Sequence, residues 1–195
     1  YIAVTGVQTC ALPISIFYRK DKLFPVATGT FWLSETPDAP GSQSWMSSLP
    51  RIATWGRFYL PAEKRVVHHI NTHFDHRSAQ ARSESARLIA RRANSFTGAV
   101  FVTGDFNARG NNSAPWRVLT EAGLDDVWEK TTRKTGPATT WCGWKAPEPE
   151  DDRRIDWVLY RGAGITPSSC ETVTYNDNGR YPSDHFPVVC QFHLK

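Results

Sequence analysis

Val102-Thr103-Gly104-Asp105-Phe106-Asn107 is the stretch on which the reading of this chain turns. The run Ala99–Val102 ahead of it is apolar and short, as a buried strand is, and it leads into a glycine, a carboxylate and a carboxamide. Residues i and i+2 share a face of an extended segment, so Asp105 and Asn107 are expected to address the same object. Three other stretches repeat the pattern of an apolar strand ending in polar groups. They are Asn71-Thr72-His73-Phe74-Asp75-His76, Arg154-Ile155-Asp156-Trp157-Val158-Leu159 and Ser183-Asp184-His185-Phe186-Pro187-Val188. Four such ends in one chain point to strands converging on one site.

The 195 residues suffice for a single domain with a substantial core. A content of 40% apolar and 22% charged residues is that of an ordinary globular chain. The formal charge of +4 permits a polyanionic partner without requiring one. Cys10, Cys142, Cys170 and Cys190 have neither a CxxC pairing nor the spacing of a zinc site. They read as small buried thiols and leave the redox compartment open. No apolar run is long enough to span a bilayer.

Tyr1–Ile14 has Pro13 inside its apolar run, no basic region and no helical or strand period. It reads as neither a signal peptide nor a first strand. From Val4 to Ile14 it resembles the translation of a sequencing-library adapter. Residues 1–14 are therefore expected to be foreign, and residues 15–195 to form the domain with native chain lost upstream. Ser15–Arg19 and Thr28–Leu33 read as strands, and Ser34–Pro50 as a long loop of the kind that usually serves function. Arg51–Leu60 and Arg65–Thr72 read as a hairpin. Ser78–Asn94 is the clearest helix, with Ala79, Ala86, Ile89, Ala90 and Ala93 on one face and its arginines off it. Ser113-Ala114-Pro115 opens a second helix that Gly123 ends. Arg154–Tyr160, Glu171–Tyr175 and Pro187–Leu194 are the last strands. The sum is one mixed α/β domain on a mostly antiparallel sheet.

The strand ends supply the carboxylates Asp105, Asp156 and Asp184, the carboxamide Asn107 and the histidines His73 and His185. There is no serine elbow and no glycine loop for a phosphate. Carboxylates with a carboxamide suit a hard cation such as Mg²⁺, Mn²⁺ or Ca²⁺ better than zinc. A histidine beside a carboxylate can act as a base near neutral pH. Cation, base and amide donors together are what attack of water on a phosphate ester needs. Each stretch also has a plainer reading. Gly-Asp-Phe-Asn alone is a good turn, and Ser183-Asp184-His185 alone is a strand start. Asp156 in an apolar strand needs a partner, for which Arg153 or Arg154 is at hand. His73 alone is a structural histidine. Asp75 and His76 read as the turn into the helix or as support behind the site. His68, His69 and His193 carry no functional reading.

Taken in order, Asn71-Thr72-His73, Gly104-Asp105-Phe106-Asn107, Arg154-Ile155-Asp156 and Ser183-Asp184-His185 look like the successive motifs of the endonuclease/exonuclease/phosphatase superfamily. The likeness runs from near Ser15 to the C-terminus. Phe31-Trp32-Leu33-Ser34-Glu35-Thr36-Pro37 further resembles a bacterial branch of it. The resemblance implies an α/β fold, a four-layer α/β sandwich of two mostly antiparallel sheets flanked by helices, here incomplete at the N-terminus. It implies His185 as general base oriented by Asp156, and Asp184 as ligand of a divalent cation, Mg²⁺ or Mn²⁺. Asp105 and Asn107 would position the nucleophilic water, a phosphate oxygen or a second metal, and His73 would hydrogen-bond the scissile phosphate. Members of the superfamily also carry an Asn on the first strand and a metal-binding Glu in a Gln-Glu motif, and neither is found here. Glu35 follows a strand in a loop and does not match, so the chain as given is expected to hold only part of a metal site.

The expected activity is metal-dependent hydrolysis of phosphoester bonds, of the phosphodiesterase or nuclease kind, on a phosphoester substrate with nucleic acid among the candidates. Arg51, Arg57, Arg109, Trp45 and Trp144 are the groups that would contact backbone and bases. The alternative within the class is a phosphatase of a small sugar or lipid phosphate, lidded by Ser34–Pro50. The rival outside it is a non-catalytic binding module. A monomer is expected, and localisation is not fixed by the sequence.

Overall fold

The computed structural model describes residues 14–195. The reading of residues 1–14 as foreign sequence lies, apart from Ile14, outside them. In chain order the strands and helices are β1 (Phe24–Trp32), β2 (Ile52–Leu60), β3 (Arg65–His73), α1 (Ala79–Ser95), β4 (Ala99–Asp105), α2 (Ala114–Glu121), β5 (Asp125–Asp126), α3 (Val127–Lys130), β6 (Lys134–Thr135), β7 (Asp156–Arg161), β8 (Ile165–Thr172) and β9 (Val188–Leu194). One sheet has six strands in the order β1-β2-β3-β4-β7-β5, and the other has three in the order β6-β8-β9.

The hairpin of β2 and β3 forms as expected, with Lys64 at φ 51° absorbing the turn. β3 and β4 then pair in parallel, which requires a crossover, and α1 supplies it. The Ser78 hydroxyl accepts the Ala81 N–H at 3.1 Å and caps that helix. Ala81, Ser85, Ala86, Leu88, Ile89, Ala90 and Ala93 form its buried stripe. Ala79 is exposed, because the first turn precedes the sheet contact.

Alternation along β4 assigns the two faces of the large sheet. Val100 and Val102 join Ile70, Trp157, Leu159, Ile89 and Leu119 in a core under α1 and α2. Ala99 and Phe101 point the other way, toward Val67, Tyr160, Ile165, Cys170 and Cys190 between the sheets. α3 touches β5 and β7 of one sheet and β8 of the other. The architecture is the α/β sandwich of two mostly antiparallel sheets with flanking helices. No helix among the described residues is long and apolar enough to cross a membrane.

Three local expectations need correction. Ser15–Arg19 is not a strand; its Ser15 carbonyl instead accepts from the Asn71 carboxamide at 3.0 Å. β1 begins at Phe24, ahead of the expected Thr28, and β8 occupies Ile165–Thr172 in place of Glu171–Tyr175. Both extensions carry a proline, which cannot donate to a ladder. The register slips at each, between Pro25 and Ala27 and between Pro167 and Ser169, so that the strand continues past it.

Candidate active site

Three neighbouring strands end at one level. His73 of β3 is the register partner of Asp105 of β4, and Asp105 is the partner of Asp156 at the start of β7. This row lies on the face between the sheets, at the end where that face turns from apolar to polar. Below it, Thr103 Oγ1 donates to Asn71 Oδ1 at 3.0 Å and lies 2.7 Å from His69 Nε2. The close approach of β3 to β4 depends on Gly104. At its φ of 151° a Cβ would lie 2.0 Å from the Thr72 carbonyl oxygen.

Within the row, His73 Nε2 is 3.2 Å from Asp105 Oδ2. The segment between β8 and β9 brings in His185, whose Nδ1 is 2.8 Å from Asp156 Oδ2 and whose Nε2 is 3.9 Å from Asp105 Oδ2. Asp156 thus has a histidine partner. The arginines offered for that role go elsewhere, Arg154 to Asp126 and Glu129 and Arg153 to Asp151.

Asp105 and Asn107 do meet, though by a turn and not by strand alternation. β4 stops at Asp105, and Asn107 takes a left-handed φ of 47°. The Asn107 N–H donates to Asp105 Oδ1 at 2.8 Å, and its carboxamide donates to the Phe74 carbonyl at 3.0 Å and to Asp105 Oδ2 at 3.3 Å. The plain reading of Gly-Asp-Phe-Asn as a turn is therefore correct for the backbone. The turn also aims Asp105 into the row.

Burial, then the neighbouring Asp156 carboxylate, push Asp105 up to about 7. Burial, then the charges of Arg51, His185 and His76, lower His73 to about 3. Burial opposes charge on His185, but the Asp156 hydrogen bond and the charges of Asp156, Asp105 and Asp184 outweigh it and raise it to about 9. At neutral pH the site therefore holds a neutral His73 and a protonated His185 against closely spaced carboxylates. Ligand atoms of Asp105, Asp156 and His185 all lie within 4.8 Å of one another. Two adjacent carboxylates, one of them reluctant to ionise, suit a hard divalent cation that would relieve their repulsion. Asp184, the expected metal ligand, precedes His185 in the chain but is not among these three. Its carbonyl accepts the Cys142 and Gly143 N–H groups at 2.8 and 3.0 Å, and its charge acts on His185.

Two residues matter more than their sequence context suggested. Thr140 Oγ1 accepts the N–H groups of Ile155 and Asp156, both at 3.0 Å, and its carbonyl accepts the Phe186 N–H at 2.7 Å. One threonine therefore fixes Asp156 and His185 relative to each other. Asp75 is buried and gathers the long loop: Oδ1 accepts from the Arg77 and Ser78 N–H groups at 2.9 and 2.7 Å. Oδ2 accepts from the Ser48 N–H and hydroxyl at 2.8 and 2.5 Å and from the Ser47 hydroxyl at 3.2 Å. Burial opposes its charge, yet these donors hold its carboxyl well below the usual range. Arg51 lies 3.9 Å from the same carboxylate through Nε and 3.0 Å from His76 Nδ1 through Nη2. Neither Asp75 nor Thr140 had a sequence signal beyond its neighbourhood, because their partners are remote in the chain.

Of the other groups named from sequence, Arg109 pairs with Asp152 and Trp45 packs against the helical core. Arg57 faces His68 across β2 and β3, away from the row. Trp144 is exposed in the loop after Gly143, and Glu35 is exposed, with its N–H donating to the Ser44 hydroxyl at 3.1 Å.

Comparison with known proteins identifies the family and the fold. Residues 14–185 match the model of the Endonuclease/Exonuclease/phosphatase family. A solved family protein from Bacteroides vulgatus is 32% identical, with a TM-score of 0.84, over 91% of this chain and 69% of that one. A mannosyl-6-phosphatase from Bacteroides thetaiotaomicron is 31% identical, with a TM-score of 0.82, over 93% of this chain and 71% of that one. Nocturnin of Drosophila melanogaster is 27% identical over 97% of this chain, which spans 33% of that protein's length. The four motifs, their meeting at one row and the match along most of the length give one conclusion: the chain belongs to the endonuclease/exonuclease/phosphatase family.

Proposed function

We propose that this chain carries the catalytic groups of a divalent-metal-dependent phosphoester hydrolase. The observation that supports it best is the row of His73, Asp105 and Asp156 with His185 brought against it from the other sheet. Asp184 and Asp105 would hold a hard cation, Mg²⁺ or Mn²⁺, which would supply charge neutralisation to the phosphoryl oxygens. His185, oriented by the 2.8 Å contact with Asp156, takes the proton from the attacking water. The charges of Asp105 and Asp184 help to keep His185 protonated, and compensating them would lower its proton affinity and free its imidazole to act as the base. Neutral His73 donates a hydrogen bond to the phosphate, and Asn107 keeps Asp105 aimed at the water. Water attacks in line, and the chain's residues form no bond to phosphorus.

One set of contacts favours a small sugar phosphate over a polynucleotide. Of the arginines named for backbone contact, Arg57 faces away from the row, and Arg51 and Arg109 lie 3.9 and 3.0 Å from the carboxylates of Asp75 and Asp152. The similarity to a mannosyl-6-phosphatase points the same way. The test compares hydrolysis of a hexose 6-phosphate, single-stranded DNA and RNA by the protein with Mg²⁺, with EDTA and as His185→Ala. The expected result is release of phosphate from the sugar, abolished by EDTA and by the substitution. Turnover that survives both treatments refutes the mechanism. Tight binding of these compounds with no turnover establishes the binding-module reading in its place.

A further inference from the structure

β8 and β9 place two cysteines side by side at the base of the segment that carries Asp184 and His185. Cys170 is the register partner of Cys190, and their sulfur atoms are 2.7 Å apart. The Cys170 N–H donates to the Arg133 carbonyl at 3.0 Å, on the side of β6. Cys170 and Cys190 are therefore a non-hydrogen-bonded cross-strand pair, the antiparallel position where Cα atoms approach most closely, to about 4.5 Å. That spacing falls at the short end of the range a disulfide spans. Both thiols are buried, but β9 is the outer strand of its sheet, so opening at that edge exposes them.

We propose that Cys170 and Cys190 form a reversible disulfide that closes the chain segment bearing Asp184 and His185. The oxidant is a small disulfide of the glutathione class. One protein thiolate attacks a sulfur of it, releasing one small thiol. The second protein thiolate then attacks the mixed disulfide and releases the other. Two protein thiols lose two electrons and two protons, and one small disulfide becomes two small thiols. The cross-link shortens the free segment to the residues between the cysteines, including Ser183, Asp184 and His185, and so limits how far His185 can move from Asp156. Cys142, whose sulfur donates to the Ser183 carbonyl at 3.4 Å, stays outside the bond.

The test incubates the full chain with oxidised glutathione, blocks remaining thiols under denaturing conditions and maps tryptic peptides. The expected product links residues 162–180 to residues 181–195, two hydrogens lighter than their sum, and dithiothreitol separates it. Oxidation is expected to raise Tm by several degrees and to slow amide exchange across residues 171–189. Cys190→Ala, a small replacement for a buried thiol, removes both effects, and Cys170→Ala repeats the control. Full alkylation of both cysteines after oxidation overturns the proposal. So does a persistent glutathione adduct on either, or a link from either to Cys142. None of these readouts depends on turnover, so the proposal stands or falls apart from the hydrolase reading.

Discussion

The two faces of the central strands differ in what they are built for. On the face under α1 and α2, Ile70, Val100, Val102, Trp157 and Leu159 form an apolar core, which only β3 interrupts, with His68 stacked on Phe96 and with Thr72. On the opposite face the same strands begin apolar with Val67, Ala99 and Phe101. They change to His69, Asn71 and Thr103 and end at His73, Asp105 and Asp156. One face is filled to exclude water, and the other spends burial on polar groups that must find partners. The lesson is that a single strand can serve stability through one set of alternating residues and chemistry through the other.

The largest expected effect lies on the polar face. His185→Ala should lower turnover per folded molecule by about 10²–10⁴-fold, the range for removal of a general base. It should also lose the stability that the Asp156 pair contributes below about pH 9, where His185 is protonated in the fold. Next, Leu159→Ala on the helical face should cost about 2–5 kcal/mol in urea unfolding. Turnover per folded molecule should stay near normal. If the two substitutions gave the same profile, the division of labour between the faces would be wrong.

Asp105→Asn sharpens the contrast by reversing a sign. The carboxyl of Asp105 is raised to about 7 in the fold from an ordinary 3.8, so its ionisation weighs against folding increasingly as pH rises between those values. At pH 8 without added metal, Asp105→Asn should raise Tm while removing turnover; a lower Tm would contradict the burial account. The smallest effect belongs to His69, which burial lowers to about 4 from an ordinary 6.5. A depressed histidine destabilises the fold as pH falls from 6.5 toward 4, because the unfolded chain takes up the proton first. His69→Gln should flatten the acid limb of Tm against pH, measured against the parent protein.

Much of the site was legible because polar residues at the ends of apolar strands have few other reasons to recur. His73, Asp105, Asp156 and His185 were found that way, and the sheet then placed them together. What was not legible depended on partners remote in sequence. Asp75 read as the turn into the helix or as support behind the site, but nothing local showed that it binds Ser47 and Ser48, which lie 28 and 27 residues before it. Thr140 lies in a loop with no motif of its own, and its role exists only because β7 and the His185 segment both pass it. The fold was legible where patterns were regular, as in α1 and the β2–β3 hairpin. It was obscured where Pro25 and Pro167 hide strands that continue through a register slip. A proline in a run signals a break to any local reading, and only the neighbouring strand shows otherwise.

The central claim is that Asp156 and His185 act as one unit on the bond being cleaved. The most direct measurement is kcat/KM on a hexose 6-phosphate with Mg²⁺ for Asp156→Asn, His185→Ala and the double variant. Groups that act together lose their effect once, so the double variant is expected to be no slower than His185→Ala alone. Losses that multiply, or a His185→Ala enzyme as fast as the parent, would contradict the account.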